Sequence, residues 1–263
     1  MDFVAAFHQE VTAFESALRR AVAEGAAPPV PTCPGWSVAD LAAHLGGVHR
    51  GVAAVIAGGR ATWPDPSADP GFLGLPDDLD GWPAPEHAPN LGPVPAGFAD
   101  WFAQGAAELE SLFAAHDPGD PAWTWSREQN VGFWLRMQTI EAAVHRWDAE
   151  HAFGAAAPIE PALARDAIGQ TFEVMAPARR AWRQAPPGAG ERYWWREKDG
   201  PGAWTVRFDG DEVSLTTGPG DVEVAGPASD LMLFLWGRVP ADRLDVTGER
   251  DLLDRYFTLV PPV

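Results

Sequence analysis

The chain is poor in cysteine, lysine and net positive charge, and each shortage closes off a class of protein. A single cysteine, Cys33, among 263 residues rules out an intramolecular disulfide and a four-cysteine zinc site. Lys198 is the only lysine, and 19 Lys+Arg stand against 37 Asp+Glu, a formal net charge of −18. A field of that sign repels nucleic-acid backbones and anionic membrane surfaces, so neither is an expected partner. An anionic substrate needs local arginines to be held at all. Long apolar runs are missing too: LMLFLW at 231–236 falls far short of a bilayer span. The opening MDFVAAFHQE has neither the basic stretch nor the apolar core of a secretory signal, so a cytoplasmic protein is expected.

What is present is a globular composition. Hydrophobic residues make up 46% and charged residues 21%, and thirteen Trp with thirteen Phe supply large apolar area for a core. The excess of Arg over Lys, with abundant Ala, Gly and Pro, suggests a GC-rich bacterial genome.

Helical periodicity dominates the first 155 residues. The spacing predicts a helix over 2–24 on Phe3, Phe7, Val11, Phe14, Leu18 and Val22. A second starts at SVAD, where Ser37 and Asp40 form a capping box ahead of the stripe Leu41, Leu45, Val48, Val52 and Ile56. A third follows Pro95, and a fourth runs from Glu128 to Phe153. The Pro/Gly/Asp-rich connection 58–95 is long enough to be functional or to cross a bundle end. Together these predict a four-helix bundle with a long crossover loop. The pattern changes after FGAAAPIEP. One more helix over 160–182, strands in AWTVRFDG, EVSLTTG and DVEVAG, and two short helices, SDLMLFLWGR with Ser229 as N-cap and ERDLLDRYF, read as a small α+β domain. The domain boundary is placed at 1–157 and 158–263.

The fourth helix raises the chemical question. At 100° per residue, Met137, Ile140, Val144 and Trp147 fall within a sector of roughly 80°, the core face. Arg136, Thr139, Arg146 and Glu150 gather elsewhere, on an expected solvated face. Glu141 and His145 lie about 40° and 80° from Met137, on a line shared with Trp134, Gln138 and Asp148. That line looks into the bundle or its mouth. A Glu-x-x-x-His pair can be a surface salt link contributing a few tenths of a kcal/mol, or it can hold a metal. On the second helix, His44 and His49 flank the apolar stripe, and His44 can be a third ligand or a hydrogen-bonded core histidine. Two His and one Glu from facing helices match a catalytic metal set with one position left open.

The segments TCPGWSVADLAAHLGGVHR (32–50) and QTIEAAVHRWDAE (138–150) resemble the two signature segments of mycothiol-dependent maleylpyruvate isomerase-type proteins. WTVRFDGDEVSLTTGPGDVEVAGPASDLMLFLWGR and LDVTGERDLLDRYF resemble their C-terminal domain. The resemblance implies a DinB-like four-helix N-terminal domain and a small C-terminal domain of the sterol carrier protein type-2 kind. It also implies a divalent metal, usually Zn²⁺, held by His44, Glu141 and His145, and mycothiol, the actinobacterial low-molecular-weight thiol, as cosubstrate. The second motif more often carries Thr after its Glu, where this chain has Ala142.

A thiol on zinc loses its proton and becomes a competent nucleophile. In an isomerase it adds to an activated double bond, permits rotation and is eliminated. In an S-transferase it attacks a small electrophile and stays attached. The metal motif is common to both, and neither the electrophile nor the oligomeric state is encoded in it. Substrate selection is expected from the 58–95 loop and a cleft between the domains. Arg238 in LWGRVP is the candidate for holding an anionic substrate group, by resemblance to an Arg-bearing helix end of the family; its other reading is an arginine stabilising a helix C-terminus. Cys33 reads as structural rather than nucleophilic, and His49 as a bundle-edge histidine. AWTWSREQN (122–130) lines a pocket or caps the bundle. The rival readings are an apolar-ligand-binding module with a structural or vestigial metal site, and a metal-free scaffold.

Overall fold

The computed structural model describes residues 1–262. The chain forms two compact units that part after Ala157.

Four long helices make up the first unit. Helix α1 (Phe3–Glu24) begins where Asp2 accepts from the Ala5 amide and ends at Gly25, which takes a left-handed φ of 66°. Helix α2 (Val38–Gly58) is entered through a complete capping box: the Ser37 hydroxyl accepts from the Asp40 amide at 3.2 Å, and the Asp40 carboxylate accepts from the Ser37 amide at 2.8 Å. Helix α3 spans Ala96–Ala115. Helix α4 (Val131–Ala152) starts three residues later than its periodicity suggests. The Thr124 hydroxyl donates to the Glu128 carbonyl and the Gln129 amide returns to the Thr124 carbonyl, which folds 124–129 into a tight loop. Asn130 then caps the helix by accepting from the Phe133 amide at 2.8 Å.

Helix α1 packs on α3 and α4, and α2 packs on the same two. Phe14, Leu18, Leu41, Leu45, Phe98 and Phe102 fill the core between them. Gly46 lets α2 approach α3 closely, because a Cβ there would run into the Trp101 ring. The long connection is mostly exposed but anchored at three points. The Asn90 amide donates to the Asp40 carboxylate at 2.9 Å, the Trp101 indole donates to the Leu73 carbonyl at 2.8 Å, and Trp82 stacks edge-on against Phe98.

The expected solvated face of α4 is not solvated. Thr139 and Arg146 are buried, since α1 lies against that side. Arg146 survives burial by pairing: it donates to Glu10 at 2.8 Å, to Glu150 at 2.9 Å and to the Ala157 carbonyl at 2.7 Å. Charge on the helix marks an internal ion pair here, not a water-facing stripe.

In the second unit, α5 (Pro161–Gln170) passes through a π turn at Thr171–Met175 into α6 (Ala176–Arg183), close to the single helix expected. Five strands follow: β1 (Gly188–Glu197), β2 (Ala203–Gly210), β3 (Glu212–Thr216), β4 (Val222–Gly226) and β5 (Asp245–Gly248). Their order is β3-β2-β1-β4-β5, with β1 and β4 parallel and the other neighbours antiparallel. Helices α7 (Ala228–Leu235) and α8 (Arg250–Leu259) pack on the sheet. Central strand β1 escaped the sequence reading: its Gly-Glu opening hides the alternation in which Tyr193, Trp195 and Glu197 point inward. Ser229 is not the N-cap of α7. Pro227 holds that place, and the Ser229 hydroxyl instead accepts from the Ile159 amide at 2.9 Å. No described helix is long and apolar enough to cross a membrane.

Candidate metal centre

The capping box fixes where α2 begins, and so places His44 one turn beyond Asp40. Its Nε2 lies 3.4 Å from Glu141 Oε1 on α4. Gln138, one turn before Glu141, donates to the other carboxylate oxygen at 2.9 Å. One turn after Glu141, His145 stands edge-on to His44, with ring centroids 5.4 Å apart. Trp36, just ahead of α2, packs on the His44 ring at 5.2 Å. The side chains of His44, Glu141 and His145 are 35%, 16% and 9% exposed, so the trio is recessed with its His44 side toward solvent. One donor atom from each lies within 4.8 Å of the others, a grouping that one cation bound at about 2.0–2.2 Å can draw together.

The electrostatics favour a cation. Burial works to raise the Glu141 carboxyl, but the hydrogen bond from His44 and the fields of His44 and His145 overcome it and bring the value to about 2. Glu141 is therefore an anion throughout the neutral range. Burial pushes His145 below its ordinary 6.5 against the opposing bond to Asp148. Its neutral form, the form that ligates, is favoured.

Further groups stand behind His145. Its Nδ1 lies 3.1 Å from Asp148 Oδ2, and Asp148 is fully buried. The Thr32 hydroxyl donates to Asp148 Oδ1 at 2.6 Å, and the Cys33 thiol lies 3.5 Å from Asp148 Oδ2. Cys33, His145 and Asp148 form another trio whose donor atoms fall within 4.8 Å of one another. Sequence reasoning put Asp148 on the inward line of α4 without giving it a role, and it passed over Thr32. The available signal was that both lie inside the two motif segments.

One other residue sits elsewhere than anticipated. His49 is not at an edge: it is 0% exposed, packed against Phe7 at 5.3 Å and Phe102 at 5.7 Å, with no hydrogen-bond partner on either ring nitrogen among the described residues. Burial brings its pKa to about 3, so it stays neutral. Arg238, in the second unit, folds back on the end of α7, where its guanidinium donates to the Trp236 carbonyl at 2.8 Å. That is a helix-end contact. In the segment 122–130, Trp123 packs near Trp134 and Trp63.

Two family models match the chain. The one described as mycothiol maleylpyruvate isomerase N-terminal domain covers residues 7–150, and the one described as MDMPI C-terminal domain covers 162–255. The chain belongs to the mycothiol maleylpyruvate isomerase family. Two solved structures share the fold of this family member at a TM-score of 0.58. One is a mycothiol-dependent maleylpyruvate isomerase, 16% identical over 94% of this chain and 93% of its own. The other is a histidine-to-alanine mutant of a mycothiol-dependent maleylpyruvate isomerase, 15% identical over the same shares. No curated protein matches the chain significantly. His44, which the first motif carries, and Glu141 and His145, which the second carries, all fall within the N-terminal family match.

Proposed function

We propose that this protein is a metal-dependent enzyme of the isomerase or S-transferase kind that uses mycothiol on a small electrophile, maleylpyruvate-like in the isomerase case. The observation that carries the reading is the convergence of His44, Glu141 and His145 from two helices of a chain in this family. Two imidazole nitrogens and one carboxylate suit Zn²⁺ and would leave a place for one further ligand. A divalent cation held by these residues would supply the acidity to deprotonate a thiol at neutral pH. On this reading the first unit is a DinB-like four-helix bundle and the second a sterol carrier-type domain.

The chain's own residues then have separable tasks. Glu141 contributes the negative charge that offsets a dication. Gln138 holds one of its oxygens, turning the other toward His44. Trp36 shelters the His44 ring. Arg238 is the candidate for a substrate carboxylate, which would have to draw its guanidinium away from the Trp236 carbonyl. Mycothiol consumption across a panel of electrophiles, run with native protein and with His145→Ala, tests the reading. Consumption that depends on His145 is expected; consumption indifferent to it would count against the assignment.

A further inference from the structure

We propose that Asp148 is a positioning residue for this centre: it holds His145 by Nδ1 so that Nε2 faces the cation, and Thr32 and Cys33 hold Asp148 in turn. The inference rests on the metal-site reading above and extends it from three donors to the groups that aim one of them.

A neutral imidazole carries one N–H, and the partner of that N–H decides which nitrogen keeps its lone pair. Asp148 Oδ2 stands 3.1 Å from His145 Nδ1 and is acceptor-only when ionised, so the proton belongs on Nδ1. The α-helix delivers this geometry by itself, because residues three apart share a face. Holding a carboxylate at 0% exposure is costly, and here the cost is met by donors from a distant part of the chain. The Thr32 hydroxyl takes Oδ1 at 2.6 Å, and the Cys33 thiol reaches Oδ2 at 3.5 Å. Thr32 and Cys33 lie just ahead of α2, which carries His44. One buried carboxylate thus ties together the two chain segments that supply the donors, and orients the ring on one of them. Outer-shell partners of this kind change metal affinity by about 10- to 100-fold when removed.

The same three side chains, Cys33, His145 and Asp148, could instead close on a cation themselves, giving up the Nδ1 bond. The test separates the two. Zinc affinity is measured by competition with a chromophoric chelator for the wild type, Asp148→Asn and Thr32→Val. Alongside, ¹⁵N NMR reads the imidazole tautomers of the metal-free protein, and the cobalt-substituted protein gives an electronic spectrum. The expected results are His145 as the Nδ1–H tautomer, a loss of about 10- to 100-fold for Asp148→Asn, a smaller loss for Thr32→Val, and no thiolate-to-cobalt band. Wild-type affinity in both folded variants, an Nε2–H tautomer, or a thiolate band abolished by Cys33→Ser would overturn the proposal. Should Asp148→Asn not fold, Thr32→Val and the wild-type tautomer still decide it. A wild type that binds no metal would fail the reading of the centre, while the tautomer would still report on Asp148.

Discussion

Glu141→Gln keeps the size of the side chain and removes its charge, which lets metal binding be separated from fold stability. Four-ligand zinc sites bind with about 10–16 kcal/mol, so one ligand contributes about 2.5–4 kcal/mol. Weakening of about 70- to 900-fold in Kd follows. The metal-free protein should lose less than that. Glu141 accepts from Gln138 and bonds to His44, and the amide oxygen of Gln still accepts one of these. Losing one such bond to a charged group costs about 1.5–3 kcal/mol, partly offset because burial no longer penalises a charge. Chelator competition gives the Kd, and urea denaturation in the presence of chelator gives the stability of the metal-free forms. Affinity within about threefold of wild type, equivalent to under about 0.7 kcal/mol, would refute the ligand assignment. So would a metal-free variant that has collapsed by as much as the affinity has fallen, since the carboxylate would then be serving the fold.

Three further outcomes follow from the packing. Arg146→Met should destabilise the protein by about 3–5 kcal/mol, because it strands the buried Glu10 carboxylate; a loss below about 1 kcal/mol in urea denaturation would put the pair in the class of exposed ones. Gly46→Ala, which favours an ordinary helix, should instead cost about 1–3 kcal/mol by thermal denaturation, because the new Cβ meets the Trp101 ring. Burial works to raise Glu191, but backbone amides and Arg255 outweigh it and hold the carboxyl below 4.5. Its contribution to stability is present above that pH and is lost as pH falls through the lowered value. Glu191→Gln should flatten the acid limb of a stability–pH curve, and an unchanged limb would contradict the assignment.

Much of the helical half was legible because a 3.6-residue period and a capping box are local signals. Ser37 and Asp40 announce α2, and the angle of Glu141 and His145 from Met137 already turned them inward. Legibility ended where a neighbour decides the outcome. Arg146 and Thr139 read as a wet face until α1 is known to cover them. His49 and His44 look equivalent along α2, yet one is sealed between Phe7 and Phe102 and the other meets Glu141. Asp148 gains its partners from Thr32 and Cys33, more than a hundred positions away, and no periodicity reports such a bond. In the second unit, β2, β3 and β4 show through their turns. β1 does not, since its Gly-rich start and the adjacent Trp194 and Trp195 blur in sequence an alternation that only the burial reveals.

Metal content per folded chain tests the central claim most directly. Protein purified without a histidine tag under zinc-replete conditions, and analysed by mass spectrometry of its metals, should carry one divalent ion per chain, and His145→Ala should carry none. Substoichiometric metal in the wild type, or an equal content in His145→Ala, would contradict the account.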